Sequence, residues 1–166
     1  MEHYYTCRLT ENEIKKYAKT EKVISSSLDE LPELDEEEYT NLLSWCIYES
    51  CAMNFPYRFT GICYTMLIYE LDPARFRMNF ANAFIKVYDI NKDYICDDFD
   101  DLNALLEMID TDVCRQFMEI CAESKYEEIR ESACEWLDDP PKVDTERPYY
   151  KYNMEEYAEL KRKLGI

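Results

Sequence analysis

Residues 72–89, DPARFRMNFANAFIKVYD, decide the fold class of this chain. Apolar side chains recur in this stretch at intervals of three and four, which is the spacing of one face of an α-helix. They are Phe76, Phe80, Phe84 and Val87. Asp72 stands before Pro73, and a capping acid followed by proline at the first helical position is a helix-start signal. The stretch therefore predicts an amphipathic helix over 73–89.

The same apolar periodicity extends over most of the chain. Capping patterns, in which a polar cap precedes a glutamate by three positions, occur at 35–38, 124–127 and 153–156. Predicted helices span 11–23, 36–53, 59–71, 73–89, 99–109, 111–122, 125–138 and 154–164. Residues 4–9 fit a short N-terminal strand, and residues 148–152 fit another. We predict a mainly α fold, a compact multi-helix bundle with short loops.

Composition along the chain suggests three parts. Residues 1–139 are expected to form an acidic helical domain, whose last helix ends at Asp139-Pro140-Pro141. Residues 140–153 carry three prolines and three tyrosines and are predicted to be a linker. Residues 154–166 are predicted to form a C-terminal helix that docks on the domain or extends from it, with Gly165 at its end.

Several kinds of enzyme are excluded by composition. Two glycines cannot build a glycine-rich phosphate loop, and the single histidine, His3, cannot supply a multi-histidine metal site. No C-x5-R, G-x-S-x-G or H-E-x-x-H pattern occurs. We therefore predict a non-enzymatic protein with no cofactor and no catalytic or metal site.

The cysteines and the hydropathy pattern indicate the compartment. Eight cysteines occur without a C-x-x-C pair, and most stand in apolar surroundings, as Cys46, Cys114 and Cys121 do. They are expected to be buried free thiols in a reducing environment. No apolar run approaches the length of a membrane span, and no secretory signal is seen at the N-terminus. We expect a cytoplasmic protein without membrane contact.

Acidic residues are concentrated in the middle of the chain. The 36 Asp and Glu against 19 Lys and Arg give a net charge of −17, while residues 29–139 alone carry −19. The acids cluster at 29–38, 89–101 and 119–139. So much negative charge repels phosphates, which argues against direct binding of nucleic acid, and it exceeds what solubility requires.

The last cluster has a regular spacing. Glutamates recur every four residues from Glu119 to Glu135, and those from Glu127 onward share one predicted helix. Such a row repeats about every 6 Å, close to the spacing of successive backbone phosphates. A solvated helix face is the alternative interpretation. The candidate partner-binding side chains are Asp97, Asp98, Asp100, Asp101, Glu123, Glu127, Glu131 and Glu135.

Residues 84–100, FIKVYDINKDYICDDFD, resemble an EF-hand calcium loop with its entering helix. The resemblance covers about 25 residues and places five oxygen ligands at loop positions one, three, five, nine and twelve. These residues are Asp89, Asn91, Asp93, Asp97 and Asp100. Tyr94 replaces the usual glycine of the sharp turn, and Cys96 replaces a branched aliphatic residue. An acidic loop between helices is the alternative.

These features together predict an acidic binding protein that occupies a basic, nucleic-acid-binding surface on a partner and so inhibits it. The partner would be a nuclease or another basic protein, and the setting that of an immunity or anti-defence inhibitor. A degenerate EF-hand calcium-binding protein and a structural or scaffold helical subunit remain as alternatives. A homo-oligomer is compatible with each of these functions.

Overall fold

A computed structural model describes residues 21–51, 55–90, 106–107, 109–142, 144–146 and 148–166. Within these residues the chain forms seven α-helices and one 3-10 helix (Leu31–Glu33), and no strand. The α-helices are α1 (Glu21–Asp29), α2 (Glu36–Ser50), α3 (Phe55–Leu71), α4 (Pro73–Ile90), α5 (Thr111–Cys121), α6 (Glu127–Asp138) and α7 (Pro148–Leu164). The predicted mainly α fold is confirmed. The strand predicted at 4–9 lies outside the described residues.

Helix α2 is the centre of the bundle. The Asp35 carboxylate accepts a hydrogen bond from the Glu38 backbone N–H at 2.8 Å, and the Glu38 carboxylate accepts one from the Asp35 N–H at 3.0 Å. This reciprocal capping box starts the helix where the sequence predicted. Every residue over 42–50 is buried, because α3 and α4 both pack against this helix.

Gly61 brings α2 and α3 into backbone contact. A Cβ atom at this position would lie 2.4 Å from the Ser50 nitrogen and 2.7 Å from the Glu49 carbonyl carbon. These are backbone atoms, so a larger residue would force the two helices apart. The close approach buries the C-terminal half of α2 more deeply than side-chain packing alone would.

The phenylalanine-rich face of α4 forms the core between α2 and α5. Phe76 and Phe80 stack with centroids 4.8 Å apart, and Phe117 of α5 meets Phe80 and Phe84 edge-on at 5.4 and 5.0 Å. Val87 completes the buried stripe. The predicted helix and its buried face are both confirmed, and Asp72 caps it by accepting a hydrogen bond from the Arg75 N–H at 3.2 Å.

Three predicted helix starts are wrong, and the helix predicted to end at residue 23 is also wrong at its end, because α1 runs to Asp29. Helix α3 begins at Phe55, four residues before the predicted start at 59. Helix α6 begins at Glu127 with Tyr126 at the N-cap, whereas Ser124 was predicted to cap the helix. The Ser124 hydroxyl instead accepts a hydrogen bond from the Tyr126 N–H at 3.2 Å, which shapes the preceding turn. Such a local bond competes with helix capping, and here it places the start two residues later than predicted.

Helix α7 begins at Pro148, six residues before the predicted start at 154. Residues 148–153 therefore belong to the helix and not to the linker, and the strand predicted at 148–152 is wrong. Proline suits a first helical turn because its missing N–H has no partner there. Helix α7 packs against α3. Glu70 of α3 accepts hydrogen bonds from the Tyr157 hydroxyl and, at 2.6 Å, from Lys161. Gly165, with φ +75°, ends the helix as predicted.

The described cysteines are free thiols, and five of them are buried. Burial raises the pKa of Cys63, Cys114 and Cys121 to about 12, which suppresses the reactive thiolate. Cys134 is exposed on α6, contrary to the general expectation of burial. The prediction of buried apolar cysteines therefore holds for five described positions, while Cys7 and Cys96 lie outside the described residues.

Candidate interaction surface

Helix α6 presents a row of carboxylates to solvent. Ile129, Ala133 and Trp136 are buried on its inner side. Residues 127, 131 and 135 fall within about 80° of one another around the helix axis, on the opposite side. All three are glutamates and all three are exposed. We call Glu127, Glu131 and Glu135 the α6 carboxylate row.

The basic residues nearest in sequence to this row have other partners. Lys125 forms an ion pair with Asp89 at 3.1 Å and lies over the Tyr126 ring. Arg130 donates a hydrogen bond to the Ser124 carbonyl oxygen at 2.8 Å. Among the described residues, no basic side chain lies within ion-pair distance of the α6 carboxylate row. Its negative charge therefore faces solvent uncompensated by a direct contact.

The other sides of α6 hold the helix to the bundle. The Tyr88 hydroxyl of α4 donates to the Glu128 carboxylate at 2.7 Å, and the Trp136 indole N–H donates to Glu107 at 2.8 Å. Arg115 of α5 lies 5.9 Å from the Trp136 ring centroid. These contacts fix the orientation of the helix without using any member of the outer row. Glu128, an acid on another side of α6, therefore helps to hold this helix to α4.

Helical spacing alone places a fourth carboxylate, that of Asp138, on the outer face of α6 beside the three glutamates. Asp138 lies seven residues after Glu131 and three after Glu135, and it is exposed. Residues at these intervals share a helix face. The sequence analysis followed only the four-residue repeat and so missed Asp138. The outer face of α6 thus carries acids along its whole length.

The remaining predicted binding residues divide into two groups. Glu123 is exposed in the turn that joins α5 to α6. Asp97, Asp98, Asp100 and Asp101 lie outside the described residues. The described part of the candidate surface therefore consists of Glu123, the row and Asp138.

A second acidic cluster, at residues 29–38, is used differently. Arg75 reaches from α4 to this cluster and donates to the Glu36 carboxylate at 3.0 Å and to the Leu31 carbonyl at 3.0 Å. Its guanidinium also donates to the Leu34 carbonyl and lies 4.3 Å from the Tyr39 ring centroid. Together with the capping box, these contacts give several acids of the cluster a structural role.

Asp89, the first ligand of the EF-hand-like loop, lies near the end of α4. Its carboxylate pairs with Lys125 and accepts a hydrogen bond from the Tyr126 hydroxyl, so it already has intramolecular partners. The other four ligand positions lie outside the described residues. In the part of the chain that the structure covers, no group of three His, Cys, Asp or Glu is arranged to hold a metal.

Glu49 is a carboxyl group that the sequence analysis did not single out. It is 4 % exposed, at the contact between α2 and Gly61 of α3, and its Oε2 has no hydrogen-bond partner in the part of the chain that the structure describes. Burial raises the pKa of this carboxyl to about 7. In the sequence, the only sign of this group is that Glu49 stands within the apolar stretch of α2. A glutamate buried in such a stretch must be either paired or protonated.

Comparisons of the chain with protein-family models, with curated proteins and with solved structures give no match. None of the helices in the described ranges is long and apolar enough to cross a lipid bilayer. The functional proposal therefore rests on the surface chemistry of the described residues.

Proposed function

We propose that this chain is a non-enzymatic, cytoplasmic inhibitor that binds a basic protein by occupying its nucleic-acid-binding surface. The partner would be a nuclease or another nucleic-acid-binding protein, as for an immunity or anti-defence inhibitor. One observation carries the proposal. The α6 carboxylate row is exposed and faces away from the core, and the nearby bases Lys125 and Arg130 are engaged elsewhere.

The geometry of the row favours a phosphate-binding groove as its target. Successive carboxylates on one helix face repeat about every 6 Å along the axis, which approximates the repeat of backbone phosphates. A groove lined by Lys and Arg would meet several of these charges at once. Because the whole chain carries a net charge of −17, long-range attraction would also accelerate encounter with a basic partner.

An uncompensated row also has an energetic cost, which supports a binding role. Like charges one helical turn apart repel one another and slightly destabilise the helix. Helix α6 bears this repulsion on its exposed face, although lysine or arginine at alternate positions would relieve it. A surface needed only for solubility would tolerate mixed charges equally well.

The test begins with a partner captured from the native host and then measures its equilibrium affinity for the purified chain. Binding is expected to weaken steeply when NaCl rises from about 50 to about 300 mM, since salt screens the exposed charges. A DNA or RNA duplex that binds the same partner should compete with the chain. A partner that binds the chain and its nucleic acid simultaneously would overturn the proposal.

Charge reversal distinguishes the row from the net charge of the molecule. The triple variant Glu127→Lys, Glu131→Lys and Glu135→Lys should weaken binding by about 100-fold or more, as the loss of close charge pairs does elsewhere. The matched control reverses three exposed acids of the other cluster, Asp29, Glu30 and Glu33, and changes the net charge equally. It should lower affinity only a few-fold, through the long-range field alone.

Equal losses in the two triple variants would show that bulk charge and not the row drives binding. Circular dichroism should confirm that α6 remains helical in the reversed protein. If helicity falls, substitution of the same three residues by glutamine removes the charges without placing lysine in the first helical turn, and the same comparison applies.

A further inference from the structure

A cavity of about 380 Å³ lies where the C-terminal end of α7 meets α1 and the end of α3. Its apolar walls are Leu28 of α1, Leu71 of α3, Leu164 of α7 and Ile166, just after that helix. Leu28 is buried, whereas Leu71 and Ile166 are 48 % and 56 % exposed, so the cavity is open to solvent. These two are among the four large apolar side chains that are exposed in the described ranges, and both line the same cavity.

The backbone holds both exposed walls in place. Gly165, with φ +75°, reverses the chain after α7, and the Ile166 N–H donates a hydrogen bond back to the Lys161 carbonyl at 3.1 Å. This bond across a left-handed glycine belongs to a Schellman motif, which turns the residue after the glycine toward the helix. Leu71 is the last residue of α3, and Asp72 alone separates it from α4. The cavity is therefore formed before any ligand arrives.

Two opposite charges line this cavity, together with the hydroxyl-bearing Ser25. Asp29 ends α1 and Lys163 lies in the last turn of α7, and both are exposed. They are not within ion-pair distance of each other, and neither has another ion-pair partner among the described residues. The other two cations of that turn, Lys161 and Arg162, each pair with a glutamate. The cavity thus presents one cation and one acid beside an apolar surface.

The size and the charges of the cavity define a class of ligand. A volume of about 380 Å³ is near the lower end of the range for small-molecule pockets, about 300 to 1,000 Å³, so it suits a ligand of amino-acid size. A ligand with a single charge would meet one cavity charge of its own sign, and an anion would also be repelled by the net charge of −17. A zwitterion pairs with both charges through charge-assisted hydrogen bonds and carries no net charge.

We propose that this cavity binds a free α-amino acid with an aliphatic or aromatic side chain. The ligand carboxylate pairs with Lys163, the ligand ammonium pairs with Asp29, and the ligand side chain lies against the four apolar walls. Because the ligand contacts α1, α3 and α7 at once and needs all three in place, it binds only the folded chain. Binding therefore raises the melting temperature by mass action.

Isothermal titration calorimetry of the full chain with L-leucine and L-phenylalanine tests the proposal. We expect a dissociation constant between about 10 μM and about 1 mM, because so small a ligand makes few contacts. L-Leucinamide lacks the carboxylate and N-acetyl-L-leucine lacks the ammonium, so each should bind about 10-fold more weakly or worse. Glycine has both charges and no side chain, and it should also bind about 10-fold more weakly or worse.

Charge-neutral variants locate the site on the protein. Lys163→Gln and Asp29→Asn should each weaken leucine binding by about 10-fold, and because both residues are exposed the fold should be unaffected. The matched controls are Arg162→Gln and Glu30→Gln, which remove the same charges from neighbouring residues that do not line the cavity. Both controls should bind leucine as the wild type does. Asp29→Asn should also lose the discrimination against N-acetyl-L-leucine, because the ammonium no longer has its partner.

Three results would overturn the proposal. The first is neither binding heat nor a rise in melting temperature with leucine, isoleucine, methionine or phenylalanine at up to about 10 mM. The second is leucinamide or N-acetyl-L-leucine binding as tightly as leucine, which would exclude recognition of a zwitterion. The third is equal weakening by the cavity variants and their neighbouring controls, which would exclude this cavity as the site. None of these outcomes bears on inhibition of a basic partner through the α6 carboxylate row.

Discussion

Two acidic regions of this chain have similar composition and different surroundings. In the cluster at residues 29–38, Asp35 and Glu38 form the capping box of α2, and Glu36 pairs with Arg75 at 2.9 Å. In the α6 carboxylate row, the described structure provides no such partner for any member. The first region uses three of its acids in contacts that stabilise the fold, whereas the carboxylates of the α6 row are exposed without an ion-pair partner among the described residues.

The comparison shows why a charge count does not identify a binding surface. Both regions contribute to the same net charge, and both repel nucleic acid from a distance. Only the contacts of the individual carboxylates separate a structural role from a free surface. The predictions below test this separation through the free energy of unfolding, from the largest expected effect to the smallest.

Glu49 extends the comparison to a buried carboxyl group whose Oε2 has no hydrogen-bond partner among the described residues. Its pKa in the folded protein is about 7, above the usual 4.5, so the folded state binds this proton more tightly than the unfolded state does. The resulting stability is fully present below about pH 4.5 and is lost as pH rises through about 7. A difference of this size corresponds to about 3 kcal/mol.

Urea unfolding of wild type and Glu49→Gln between pH 4 and pH 8 measures this effect. The glutamine variant cannot ionise at this position, while the exposed acids titrate alike in both proteins. The wild type should therefore lose stability relative to the variant as pH rises. Parallel pH profiles of the two proteins would show that Glu49 is ionised or solvated in the fold.

Arg75 is the side chain that joins the 29–38 cluster to the bundle. Arg75→Met keeps the aliphatic volume, but it removes the ion pair with Glu36 and leaves the Leu31 and Leu34 carbonyls without this donor. We expect a loss of about 2 kcal/mol in the free energy of unfolding, the size found for hydrogen bonds to charged groups. Chemical denaturation monitored by circular dichroism gives the value.

The control is Arg77→Met, two residues along the same helix. Arg77 pairs with Asp110 at the surface, where solvent weakens the interaction, so its loss should cost clearly less. If the two variants lose equal stability, Arg75 does not link the cluster to the bundle as its contacts indicate.

Single substitutions give the finest comparison between the two regions. Asp35→Ala removes the N-cap of α2 and should cost about 1 kcal/mol. Glu131→Ala, in the middle of the α6 carboxylate row, should leave stability unchanged or raise it slightly, because it relieves repulsion along the helix. Thermal unfolding at low salt distinguishes the two. A loss at Glu131 as large as that at Asp35 would mean that the row has a structural partner.

Local sequence signals predicted much of the fold. The starts of α2 and α4 follow from Asp35 and Asp72, whose side chains bond backbone groups three residues away. The same logic failed at Ser124, because its hydroxyl bonds the Tyr126 N–H and forms a turn. The early start of α7 was also missed, although Pro148 suits a first helical turn.

The candidate surface was predictable only in part. Helical spacing placed Glu127, Glu131 and Glu135 on one face, and their exposure is what that spacing predicts. Whether Lys125 and Arg130 would neutralise them was not predictable. Lys125 pairs with Asp89, 36 positions earlier in the chain, and such a distant contact leaves no local pattern.

By itself the sequence determined that this chain is helical, where α2, α4 and α5 begin, and which residues can share a face, because these properties depend on neighbours within one or two turns. Only the tertiary structure decided which acids acquire partners and how deeply Glu49 is buried against Gly61. These properties depend on atoms brought together from distant parts of the chain, and the energies of ion pairing and burial are set by that assembly.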